Sequence, residues 1–156
     1  MEGQFLNNQG HLVSITNQND IQIWDLDGRT LACYIQWETN ITAFAVIQGT
    51  SYMYIGDDLG NVAVVKYDHE KAELSEMPYN IPMHIIQEAS NHLDSFPSSV
   101  VEVLPQPSAS DSRVLIAYAN GLIILWDIYE AHVVAVRGCS NLQPKDSNAS
   151  FRLQNS

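Results

Sequence analysis

The 156-residue chain is short of basic side chains, cysteine and long apolar runs, and each shortage removes a class of function. Seven Lys and Arg stand against eighteen Asp and Glu, a formal charge of -11. Such a surface repels phosphate backbones, so nucleic acid is not an expected partner. Anionic membranes are disfavoured too, since no cluster of Lys and Arg reverses the sign locally. The balance favours basic partner surfaces, although its plainest consequence is solubility. No apolar stretch approaches the roughly 18 residues of a membrane span. Met1-Glu2-Gly3-Gln4 has neither the basic nor the apolar region of a signal peptide, so a cytosolic location without direct membrane insertion is expected. The two cysteines, Cys33 and Cys139, have no metal-ligand spacing and form no disulfide framework. Cys33 lies in a strand pattern and reads as a small buried hydrophobe, whereas Cys139 reads as a free thiol.

Catalytic motifs are also missing. There is no G-x-S-x-G, no phosphate-cradling glycine loop and no nucleophile–base pair. The only catalytic material is five histidines (His11, His69, His84, His92, His132) and the pair Asp57-Asp58. His11 and His132 open strands and read as half-exposed structural residues. His84 and His92 are eight apart, whereas a metal pair on one helix face sits at i, i+4 with a third ligand. Asp57-Asp58-Leu59-Gly60 resembles part of a calcium loop, yet the alternating ligands and the terminal Glu are absent. A hairpin turn with Gly60 at positive φ accounts for it better. Asn40-Ile41-Thr42 and Asn148-Ala149-Ser150 match glycosylation acceptors, a match expected to be coincidental without a secretory signal. No catalytic, cofactor-binding or metal-binding residue is assigned, and the chain is expected to be neither an enzyme nor a cofactor protein.

What is present is a repeat. Ile21-Gln22-Ile23-Trp24-Asp25-Leu26 aligns without a gap on Ile123-Ile124-Leu125-Trp126-Asp127-Ile128, each with a strand-like run beyond a short turn. Four-stranded units marked by Trp-Asp at a strand end predict a WD40-type β-propeller, an all-β fold. Alternation and turn residues give about three blades near residues 4–37, 41–81 and 100–137. The first is expected to be incomplete, because only Phe5-Leu6 precedes the strand that starts at His11. Trp24, Val65 and Trp126 are expected to be equivalent. The first interval, 41 residues, suits a blade, and the second, 61, is about twenty too long. The excess falls in residues 82–99, read as a loop insertion in which Ile85, Ile86, Ala89 and Leu93 hint at a short amphipathic helix ending before Pro97. Val65-Lys66 replaces Trp-Asp in the second blade, which therefore reads as degenerate. Trp24 and Trp126 are both expected to fill gaps between adjacent sheets. Residues 1–138 thus form a partial propeller and 139–156 a disordered polar tail. Closed rings usually have four to eight blades, so three are expected to require the remaining blades of a longer parent protein, and isolated folding is expected to be marginal.

One stretch is more specific. Ser99-Val100-Val101-Glu102-Val103-Leu104-Pro105-Gln106-Pro107 followed by Arg113-Val114-Leu115-Ile116-Ala117-Tyr118-Ala119-Asn120-Gly121-Leu122-Ile123-Ile124-Leu125-Trp126-Asp127 resembles a blade of the tomosyn (syntaxin-binding) and lethal giant larvae proteins. Asn8-Gln9-Gly10-His11-Leu12-Val13-Ser14-Ile15 resembles the blade of that family which follows an N-Q-G turn. Val136-Arg137-Gly138 with Asn141-Leu142-Gln143 is similar to the plant members. The resemblance implies a non-enzymatic regulator of vesicle exocytosis that binds syntaxin-type SNAREs and sits peripherally at the plasma membrane through them. The C-terminal SNARE-like helix of tomosyns needs sustained apolar heptads, which no segment here supplies. Any such role must come from propeller surface, with 82–99 the best single candidate. The alternatives are a generic WD-repeat scaffold in another pathway and a truncated product without function.

Overall fold

The computed structural model describes residues 2–6, 10–47, 50–90, 98–106 and 113–138. Cys139, the polar tail, His92, Leu93 and Pro97 lie outside them. Twelve strands and one helix follow in chain order: β1 Glu2–Leu6, β2 His11–Ile15, β3 Asp20–Asp25, β4 Thr30–Gln36, β5 Ile41–Val46, β6 Tyr52–Asp57, β7 Val62–Asp68, β8 Glu73–Glu76, α1 Met83–Ser90, β9 Val100–Pro105, β10 Arg113–Tyr118, β11 Ile123–Asp127 and β12 His132–Arg137. The strands make three antiparallel four-stranded sheets, β1–β4, β5–β8 and β9–β12, each an up-and-down meander. Their first strands lie side by side, β1 against β5 and β5 against β9.

The expectation of an incomplete first blade is corrected. β1 pairs with β2 along its whole length, from Glu2 opposite Ile15 to Leu6 opposite His11. Glu2-Gly3-Gln4 carries no β-branched or aromatic side chain, so nothing local marks it as strand. Backbone pairing to the β2 edge supplies what propensity does not.

The repeat is visible in its turns. Five residues lie between the last paired positions of the second and third strands of every sheet: 16–20, 57–61 and 118–122. In each, the first residue's N–H donates to the fifth residue's carbonyl (Thr16 to Asp20, 3.0 Å; Asp57 to Asn61, 3.1 Å; Tyr118 to Leu122, 2.9 Å). The fourth residue has positive φ in all three: Asn19 at 64°, Gly60 at 94° and Gly121 at 92°. Glycine and asparagine are the residues that enter this region at least cost. Counting from these turns, Trp24, Val65 and Trp126 occupy one position, as the spacing predicts.

The next turn shows what the spacing concealed. Asp25, Asp68 and Asp127 each close the third strand five residues before the fourth strand begins, and each accepts from turn N–H through Oδ1. Arg29, Ala72 and Ala131 take the same positive φ before the chain re-enters the sheet. The second blade therefore keeps an aromatic–Asp pair, Tyr67-Asp68, two residues further along a longer β7. A slip of two preserves the face on which a side chain lies.

Two apolar clusters hold the sheets together. Ile21 and Ile23 of the first sheet pack with Val65 and Tyr67 of the second. Val62 and Val64, on the other face of β7, pack with Ile124 and Trp126 of the third. Each junction thus sets the Trp position of the later sheet against the positions one and three residues before it in the earlier sheet. The middle sheet is buried on both faces, so β6 reads as a continuous buried run, while β10 alternates. Trp126, 2% exposed, fills its gap as expected. Trp24 does not, because no described sheet lies on its side. Its indole N–H donates instead to Ser14 Oγ (3.3 Å) and Gln22 Oε1 (3.2 Å) on the same open face.

Candidate functional site

Residues 82–99 fall outside the blade pattern, and within their described part, 82–90 and 98–99, Met83–Ser90 is helical. Asn61 Oδ1 accepts the N–H of Met83 at 2.8 Å, relieving one of the orphan donors of the first turn. Ile86 is wholly buried in the cluster between the second and third sheets. His84, Ile85 and Glu88 face outward, with Ile85 37% exposed. One apolar anchor therefore fixes α1 over a blade junction and leaves a mixed polar and apolar strip in solvent. The helix also reaches β12, the last strand of the third sheet.

The floor under α1 is rigid. Asp57, buried at 5% exposure, accepts through Oδ1 from Leu59 N (3.0 Å) and Asn61 N (2.9 Å), and through Oδ2 from the Thr39 hydroxyl (3.0 Å). Asn19 Oδ1 accepts from Ile41 N at 2.9 Å, tying the first sheet to the second. The Tyr118 hydroxyl donates to Gly60 O at 3.2 Å, tying the third to the second. A Cβ on Gly60 would stand 2.8 Å from Ser98 O, so the φ of this turn and its close approach both require glycine. Exposed Leu59 (44%) protrudes from the same turn.

The titratable groups do not converge. Among the described residues no three His, Cys, Asp or Glu side chains gather closely enough to hold a metal ion. Asp57 serves the turn as an acceptor, and Asp58 points to solvent. His11 faces Tyr67 across the first blade junction, ring centroids 5.4 Å apart, with His69 edge-on at 5.7 Å. His132 lies 3.5 Å from Glu130 on the surface, and His84 is exposed on α1. Burial, with nearby Glu73 adding to it, pushes the Cys33 thiol up. Burial and then Asp127 push the Tyr54 phenol up to about 12. Burial and then Asp57 push Tyr118 higher still. A cleft of about 330 Å³ opens between turn 16–20 and β5, floored by Ile15 and Phe44. Its wall of Asn17, Asn19, Asn40 and Thr42 offers hydrogen bonds and no ionisable group.

Comparison with known proteins agrees with this geometry. No family model matches the chain. It is 24% identical over 142 residues to the human protein named LLGL scribble cell polarity complex component 2, covering 81% of this chain and 14% of that protein. The mouse protein of the same name is 24% identical over 144 residues, covering 80% of this chain and 13% of its own length. The chain therefore spans about one seventh of the relatives it matches. Among solved structures, Raptor of Chaetomium thermophilum superposes with a TM-score of 0.61 at 18% identity, over 87% of this chain and 12% of that one. The chain is three blades of a WD-type β-propeller and is similar in sequence to the LLGL proteins.

Proposed function

We propose that the chain is a non-enzymatic interaction module that regulates SNARE-dependent vesicle exocytosis by binding syntaxin-type SNAREs. The observation that carries the interaction role is α1, a helix pinned by Ile86 across a blade junction and displaying Ile85 and His84 on a rigid base. Helices and loops held on a rigid scaffold are the usual carriers of contacts. The choice of SNAREs rests on the Leu104-Pro105-Gln106-Pro107 and 118–127 segments, which resemble tomosyn and lethal giant larvae blades, and on the similarity to the LLGL proteins. A charge of -11 favours a partner segment rich in Lys and Arg. The module acts on the cytoplasmic side and reaches the plasma membrane through that partner. Among the described residues no helix is long and apolar enough to cross a membrane.

The test is binding of the purified chain to immobilised cytoplasmic segments of syntaxin-type SNAREs, repeated with Ile85→Asp. Retention of one such segment, lost in the variant while the fold survives, is the expected result. Absence of binding to every such segment removes the SNARE assignment. A second reading has support in the name of the relatives: the same surface would serve a cell-polarity complex. Binding to polarity-complex components without SNARE binding favours it.

A further inference from the structure

The cleft at the first blade junction is open because one side chain keeps its walls apart. Counted from the five-residue turns, Ile15 of the first sheet and Gly56 of the second hold the same position. Asn40 and Ser99 are equivalent too, their carbonyls accepting from Asp58 N (3.1 Å) and Ala119 N (2.9 Å). At the second junction the space is shut. Gly56 admits Val100, whose Cγ1 would stand 2.6 Å from a Cβ at that place, and Ser99 Oγ donates to Asp58 O at 3.3 Å. At the first junction Ile15 takes the glycine's place, and about 330 Å³ stays open. Among the described residues the Asn40 side chain makes no bridge like that of Ser99. Both walls belong to sheets of this chain, so the cleft owes nothing to what lies beyond its ends.

Asn17, Asn19 and Asn40 line this space, with Thr42 beside them. Asn19 stands where the other two turns carry glycine, so its carboxamide is particular to this junction. Its Oδ1 is taken by Ile41 N, and its NH2 has no partner among the described residues. The exposed side chains of Asn17 and Asn40 have none either. Each free carboxamide offers two N–H donors and a carbonyl acceptor. An ionised ligand would give up water here without meeting an opposite charge. A hydrocarbon would cover these groups and leave them unpaired. A neutral amide pairs with both donors and acceptors. We propose that the cleft binds a neutral amide group of a partner protein, a Gln or Asn side chain or a peptide unit, laid over Ile15 and Phe44. Ligand pockets run to about 300–1,000 Å³, and this one, at the small end, takes a single group and not a folded surface. The Asn40-Ile41-Thr42 triplet is then a recognition wall and not a glycan acceptor. The site is separate from α1 and does not rest on the SNARE assignment.

The experiment is amide NMR of the intact chain titrated with small probes. Propionamide stands for the Gln or Asn side chain, N-methylacetamide for a peptide unit, and propionate is the charged isostere. The side-chain NH2 signals of Asn17, Asn19 and Asn40 report contact directly. Saturable shifts of these signals with at least one amide, and weaker ones with propionate, are the expected result. The tighter of the two amides identifies the source of the group. Asn17→Ala combined with Asn40→Ala, both at exposed positions, should weaken that binding about tenfold or more. The backbone signals of the sheets in the same spectra show that the variant is folded. Ile85→Asp should leave probe binding unchanged, which keeps this result distinct from the SNARE test. No saturable shift with either amide overturns the proposal. So does propionate binding as tightly as the amides, and so does undiminished binding in the folded double variant.

Discussion

Gly56 in the middle sheet has no room for a side chain: a Cβ there would stand 2.6 Å from Val100 Cγ1 of the third sheet. This is a close approach between blades, and it involves β6 and β9, which lie together near the first strands. Gly56→Ala is expected to force the second and third sheets apart at a cost of about 1–3 kcal/mol, the range for overpacking a tight core. Urea denaturation reads the loss. Val100→Ala in the same chain should return part of it, since it removes the methyl groups that the new Cβ meets. Equal or greater destabilisation in the double variant would refute the contact as its cause.

Trp24 and Trp126 share a repeat position and differ in surroundings. Trp126→Ala is expected to cost about 3–5 kcal/mol, as for other large buried aromatics. Trp24→Ala should cost about 1 kcal/mol or less, because its ring covers only the open face and its polar partners return to solvent. Urea denaturation of the two variants makes the comparison.

Asp57 is expected to matter for stability and not for any metal. Asp57→Ala removes the acceptor of two turn N–H groups and of the Thr39 hydroxyl. At about 0.5–1.5 kcal/mol per hydrogen bond, the loss should be about 2–3 kcal/mol. Asp57→Asn, which keeps an acceptor oxygen, should lose less. Calcium should leave the Tm of the native chain unchanged; a rise on adding calcium would mean that the turn is a cation site.

Alkaline stability follows from Tyr54 and Tyr118. Both phenols are raised above the ordinary value of 10 by burial, Tyr54 to about 12 and Tyr118 beyond it. Unfolding exposes them, so above pH 10 the unfolded chain holds fewer protons than the folded one. Stability is therefore complete below pH 10 and falls as pH rises through the folded values. Ultraviolet titration of the seven tyrosines should show these two ionising last. Replacement of both by Phe should flatten the fall of the urea midpoint between neutral and strongly alkaline pH.

The repeat was legible because Trp24-Asp25 and Trp126-Asp127 lie in segments that align residue for residue. The insertion showed through the 61-residue interval, and its helix through Ile85 and Ile86. Three things were not legible, each for a physical reason. β1 lacks side chains that favour strand, so only its partner reveals it. Tyr67-Asp68 does not align with Trp-Asp because β7 runs two residues further, a slip that period-two geometry tolerates. Trp24 carries the same dipeptide as Trp126, but burial depends on what stands opposite, which a local pattern does not encode. For the candidate site, residue spacing located α1 without showing that Ile86 is the anchor or that Asp57 braces the turn beneath.

Residue-resolved amide hydrogen exchange on the intact chain tests the order of the sheets most directly. The middle sheet, covered on both faces, should exchange last: β6 and β7 should outlast β3 and β11. Exchange from β6 and β7 as fast as from β3 and β11 would contradict a stack with that sheet at its centre.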